Sequence, residues 1–131
     1  MLIYFHYYFS KQIFRKMINQ DKNVRSAVYN IVRTILESEF SYIENPEDVY
    51  DLESYNYDDD LFNEAYGEGM LAVKDNIDDY EFENNEEEIK EDIRNIIDKV
   101  FEEVKDELIS KYNEKFEMED MLYEMDEYEE Y

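Results

Sequence analysis

Three observations predict an all-α fold of four or more helices ending in one long C-terminal helix. Residues 86–131 hold no Gly and no Pro over 46 positions, of which nineteen are Asp or Glu. Apolar residues recur at helical spacing in three separate stretches, and neither a credible sheet nor an internal repeat is visible. A length of 131 residues suits a single domain, residues 1–131, and the hydrophobic content of 44% with 17% aromatics exceeds what disordered acidic chains carry.

The chain opens on Met1–Phe9, an apolar run with six aromatic rings counting His6. It is shorter than the roughly 20 residues of a membrane span and lacks the basic start and small-residue cleavage site of an export signal. It reads as a core-packing segment, with an extension ahead of a start at Met17 as the alternative. From Asn23 to Phe40 the spacing of Val24, Val28, Ile31, Val32, Ile35 and Leu36 predicts an amphipathic helix, capped by Asp21 or Asn23. The bases Lys11, Arg15, Lys16, Lys22, Arg25 and Arg33 are too few for a nucleic-acid footprint and read as salt-bridge partners for the acidic body.

Asn45-Pro46-Glu47-Asp48 places Asn at a cap, Pro at the first helical position and two acids at the positive end of the dipole, so a short helix is expected through about Ser54. A third helix is expected from Asp59 to about Tyr80, with Phe62, Tyr66, Met70, Val73, Ile77 and Tyr80 on one side. Gly67 and Gly69 weaken its middle and allow a break there. Asp78–Asn85 reads as a linker, or as a short extended piece at Tyr80 and Phe82, with Asn84 or Asn85 capping the next helix.

In the long helix, Ile89, Ile93, Ile96, Ile97, Val100, Val104 and Leu108 share a sector about 120° wide, the stripe of a core-facing helix. Opposite lies a row of carboxylates: Glu88, Glu91, Asp98, Glu102, Asp106, Glu117, Asp120, Glu124 and Glu127. Lys90, Lys99 and Lys105 stand only at its flanks. Towards the end, Met118, Met121, Leu122, Met125 and Tyr128 keep a helical pattern that suits core packing or a homodimer seam. Both a rigid helix and a frayed acidic tail fit residues 126–131.

The net charge of −24 is one-sided. Residues 1–43 are mildly basic and aromatic, six bases against three acids, whereas residues 44–131 hold thirty-four acids against seven bases. Between Glu44 and Gly69 there are ten acids and no base. Solubility asks for a net charge of about 2 to 8 in a small domain, and a denser field opposes compaction. The excess therefore points to a basic partner.

Other chemistries fare poorly. The absence of Cys excludes disulfides, thiol chemistry and Cys-ligated zinc, and fits a reducing cytoplasm. Nothing sets one carboxyl apart as a general acid in a dry pocket, so no enzymatic activity and no cofactor are expected. Asn56, Asp58 and Asp60 match the first positions of a calcium loop, but Leu61 and Gly67 stand where it needs Gly and Glu. His6 has no Glu three residues before it, as di-iron bundles require.

What remains is charge arranged in space. Duplex DNA carries about one charge per 1.7 Å of axis, and DNA-binding proteins grip it largely through Lys and Arg. One helical row supplies about one carboxylate per 5.4 Å turn, so about three rows are needed to match it. The expected DNA-mimic surface therefore joins the row above to Glu44, Glu47, Asp48, Asp51, Glu53, Asp58, Asp59, Asp60, Glu64, Glu68, Asp75, Asp78 and Asp79. Its expected partner is a DNA-binding protein, a restriction or RNA-guided (CRISPR) nuclease, with no nucleic acid or membrane bound directly. An acidic chaperone or antitoxin for a basic protein is the alternative.

The layout resembles the Ocr-type phage anti-restriction proteins. The similarity lies in the acid-rich short helices, the linker Asp78-Asp79-Tyr80-Glu81-Phe82-Glu83, and the ending Glu124-Met125-Asp126-Glu127-Tyr128-Glu129-Glu130-Tyr131. It covers roughly residues 44–131 and rests on layout and composition. It implies a homodimer acting in the bacterial host cytoplasm as a decoy in the DNA-binding cleft of type I restriction-modification enzymes. The mildly basic, aromatic first third departs from that family's pattern.

Overall fold

The computed structural model describes residues 22–129, with side chains as far as Leu122. Met1–Phe9, Lys11, Arg15, Lys16 and the cap candidate Asp21 lie outside the described residues. The elements are α1 (Lys22–Glu39), a 3-10 turn (Pro46–Asp48), α2 (Val49–Glu53), α3 (Asp59–Asn76), α4 (Asp79–Asn84) and α5 (Glu86–Glu129). The fold is all-α, as the periodicity predicts, and no strand occurs among the described residues.

Helices α1, α3 and α5 form the core. Val24, Val28, Val32 and Leu36 repeat every four residues along α1 and are buried. They meet Leu61, Ala65 and Val73 of α3 and the whole predicted stripe of α5, from Ile89 to Leu108, which is buried without exception. Phe101 and Phe116 extend that stripe. Arg25 pairs with Glu103, Arg33 with Glu107, and Tyr112 donates to the Phe40 carbonyl at 3.1 Å. Contacts therefore advance together along both chains, and α1 and α5 run in the same sense. Helix α3 runs against them, since Tyr57 meets Phe101 at its start while Gly69 reaches Ile93 further along.

The two glycines do not break α3. At Gly69 a Cβ would stand 3.1 Å from Ile93 Cγ2 and 3.2 Å from Val28 Cγ2, so here side chains of both α1 and α5 press on the α3 backbone. Its buried line is Leu61, Ala65, Gly69 and Val73, one residue ahead of the expected Phe62, Tyr66 and Met70, which are half-buried beside it. Small residues take the centre because the backbones approach there, and the large rings are displaced to the flank.

Two expectations need correction at the end of α3 and beyond. Helix α3 stops at Asn76, where Ile77 turns extended, so Tyr80 is not on its apolar side and is 76% exposed. The expected linker is a helix, α4, because the Asp78 carboxylate accepts from the Glu81 amide at 2.7 Å and caps its start. Asn85 stands at the cap of α5 as expected, its carbonyl accepting from the Ile89 amide at 2.9 Å, while its Nδ2 donates back to the Glu81 carbonyl at 2.8 Å and closes α4. At the other end of the fold, α1 begins at Lys22, which puts Asn23 inside the helix rather than at its cap.

Candidate acidic interface

Twenty of the predicted carboxylates have described side chains, and all are exposed except Asp48 and Glu88, which are half-buried. Glu124 and Glu127 lie on α5 beyond the last described side chain. Several of the acids are positioned by the fold's own hydrogen bonds. Asp48 Oδ2 accepts from the Glu44 and Asn45 amides at 3.3 Å each and fixes the turn into α2. Asp58 Oδ1 accepts from the Leu61 amide at 2.9 Å and starts α3, while Asp59 and Asp60 occupy its first turn. Asp51 accepts from the Tyr42 hydroxyl at 2.9 Å.

The row on α5 follows from the buried stripe opposite. Because Ile89 to Leu108 face the core, Glu91, Asp98, Glu102 and Asp106 face solvent. From Glu88 to Asp120 the row runs about 48 Å at 1.5 Å per residue. Asp98 accepts from the Tyr57 hydroxyl, which sets the Asp58–Asp60 end of α3 beside the middle of the row. Lys105, beside Asp106, turns to the Tyr55 carbonyl at 3.0 Å and ties the end of α2, with Asp51 and Glu53, to the same stretch of α5. Three groups of acids thus meet around Asp98–Asp106.

Three of the cations pair with acids outside the predicted set. Arg25 and Arg33 on α1 bind Glu103 and Glu107 on α5, and Arg33 also binds Glu37 at 2.8 Å. This is the salt-bridge role read from the sequence for these two residues. Lys90 pairs with Glu86 at 3.3 Å and Glu87 at 3.8 Å, which raises its ammonium pKa. All the acids in these pairs, Glu37, Glu86, Glu87, Glu103 and Glu107, lie outside the predicted set.

Tyrosine hydroxyls register the surrounding charge. The hydrogen bond to Asp98, then burial, pushes Tyr57 up to about 12. Burial, then the negative charge of Glu39, does the same for Tyr55, whose ring stands edge-on to Phe40 at 5.2 Å. Sequence reading missed these tyrosines as the hinges between acidic segments; their interleaving with acids at positions 50, 55, 57 and 66 was the available signal. It also missed Asp92, only 1% exposed, which falls at the edge of the α5 apolar stripe beside Ile89 and Ile96.

Among the described residues no group of three or more His, Cys, Asp or Glu is arranged to hold a metal ion, and no helix is long and apolar enough to cross a membrane. Comparison with protein-family models, with curated proteins and with solved structures finds no match.

Proposed function

We propose that this chain is a DNA mimic that occupies the DNA-binding cleft of a host defence nuclease in the bacterial cytoplasm, with type I restriction-modification enzymes as the first target class. The observation that carries the reading is the meeting of the base-free acidic segment with the α5 row at the Tyr57–Asp98 contact. A duplex about 48 Å long carries about 28 phosphate charges, and the twenty described carboxylates approach that number where the α5 row alone supplies seven. An RNA-guided nuclease presents a basic channel of the same kind and is the alternative target. Met118, Met121 and Leu122, each 59–64% exposed on α5, support a second copy of the chain as a further partner.

The test is competition on a purified type I restriction enzyme, with an RNA-guided nuclease in parallel. Duplex DNA is expected to displace the protein, and inhibition should fall steeply as salt rises. Inhibition indifferent to both DNA and salt would overturn the proposal.

A further inference from the structure

The solvent face of α3 carries an apolar dimple in the middle of its carboxylates. At 100° per residue Asp60, Glu64, Gly67, Glu68, Leu71 and Asp75 share a sector about 100° wide, and all six are exposed. Nothing stands within 4 Å of where a Gly67 Cβ would lie. The space over it opens into a groove of about 460 Å³, floored by Ile31 of α1 with Met70 and Leu71 and edged by Glu64 and Glu68. Leu71 is 59% exposed there. Lys74, the base in the lining, holds its ammonium 4.9 Å from the Phe82 ring centroid, drawn towards α4.

Glycine inside a helix is unfavourable against alanine, and it is retained where something must approach the backbone closely. Gly69 meets that need within the fold, through Val28 and Ile93; Gly67 has no such neighbour. We propose that the dimple over Gly67 receives one large apolar side chain, presented by a Lys- and Arg-rich segment of the protein that the acidic surface engages. The charges choose the occupant. Glu64 and Glu68 edge the hollow, with Asp60 and Asp75 further along the same exposed face, so a second copy of this chain would bring acid against acid, whereas a basic segment satisfies the rim while its apolar residue fills the floor. The proposal rests on the reading of the acids as a grip for a basic protein and adds to it a contact that DNA itself does not offer. Charge would supply attraction, and the dimple would choose among basic partners.

The experiment uses the full chain and three synthetic helical peptides. Two are built of Lys, Arg and Ala, one with a central Trp and the other with Ala in its place; the third is a Glu-Ala peptide with the same Trp. The basic Trp peptide should bind about tenfold more tightly than its Ala twin, as expected from burying part of a large ring. The chain has two glycines, so in an NMR spectrum of the 15N-labelled protein their amides are readily followed; the Gly67 signal should move on titration and the buried Gly69 signal much less. Gly67→Leu, for which the backbone has room, should erase the tenfold advantage and leave binding of the Ala twin unchanged, with helicity by circular dichroism as the folding control. Equal binding of the two basic peptides, or an advantage that survives Gly67→Leu, overturns the dimple alone. Equal binding of the acidic Trp peptide overturns the basic occupant. Failure of both basic peptides to bind at low salt overturns the underlying grip and the dimple with it.

Discussion

Replacing Gly69 by alanine puts a methyl 3.1 Å from Ile93 Cγ2 and 3.2 Å from Val28 Cγ2. Both neighbours are branched at Cβ and sit within helices, where one χ1 rotamer dominates, so neither methyl swings aside without moving its backbone. The helices must therefore part by a few tenths of an ångström, an overpacking that costs about 1–3 kcal/mol. Alanine returns about 1 kcal/mol of helix propensity, leaving a net change between neutral and a loss of about 2 kcal/mol. Gly67→Ala, two residues earlier, gains the propensity and meets nothing, so it should stabilise by about 0.5–1 kcal/mol. Urea denaturation followed at 222 nm separates the pair by their midpoints, which should lie on the order of 1 M apart at an unchanged m-value. Equal midpoints would refute the placement of Gly69 tight against both α1 and α5, and with it the packing of α3 described above.

Two further outcomes follow from the site. Tyr57 and Tyr55 titrate near 10 when unfolded and are raised to about 12 in the fold. The fold thus holds their protons more tightly, and this stabilisation is complete below about pH 10 and lost as pH rises towards 12. Tyr57→Phe should flatten that alkaline loss in pH-dependent melting, and an unchanged profile would count against the Asp98 bond as its main source. Asp58 serves both as a helix cap and as a surface charge: Asp58→Ala should cost about 1 kcal/mol in chemical denaturation, whereas Asp58→Asn keeps the cap and should unfold close to wild type. Any weakening of partner binding by the Asn variant then reports charge alone.

Much of this architecture was legible in the chain because its long helices have strong periods. The α5 stripe from Ile89 to Leu108 emerged residue for residue, and Asn45-Pro46 marked the entry to α2. Helix α3 was legible at its start, Asp59, but not in its end or its rotation. Apolar size draws the eye to Phe62 and Tyr66, while the line that enters the core is set by what can fit between backbones, Ala65 and Gly69. Helix α4 has six residues and no apolar period, and its existence depends on the Asp78 cap. The acids were identifiable as a set. Their assembly around Asp98–Asp106 was not, because it depends on Tyr57 and Lys105 reaching 41 and 50 residues along the chain, separations that no local pattern encodes.

The pairing of Arg25 and Arg33 with α5 also gives the molecule a direction. On the α1 flank the two arginines offset charge on the acids they bind, Glu37, Glu103 and Glu107, while the segment from Glu44 to Gly69 holds ten acids and no base. Such a separation is an electric dipole, and in the field of a basic groove a dipole experiences a torque as well as an attraction. The protein would be turned during approach, acids leading and α1 trailing, before any surfaces touch. Reversing the arginines to glutamate would remove part of that torque while raising the net negative charge, so encounter rates and total charge need not change in step.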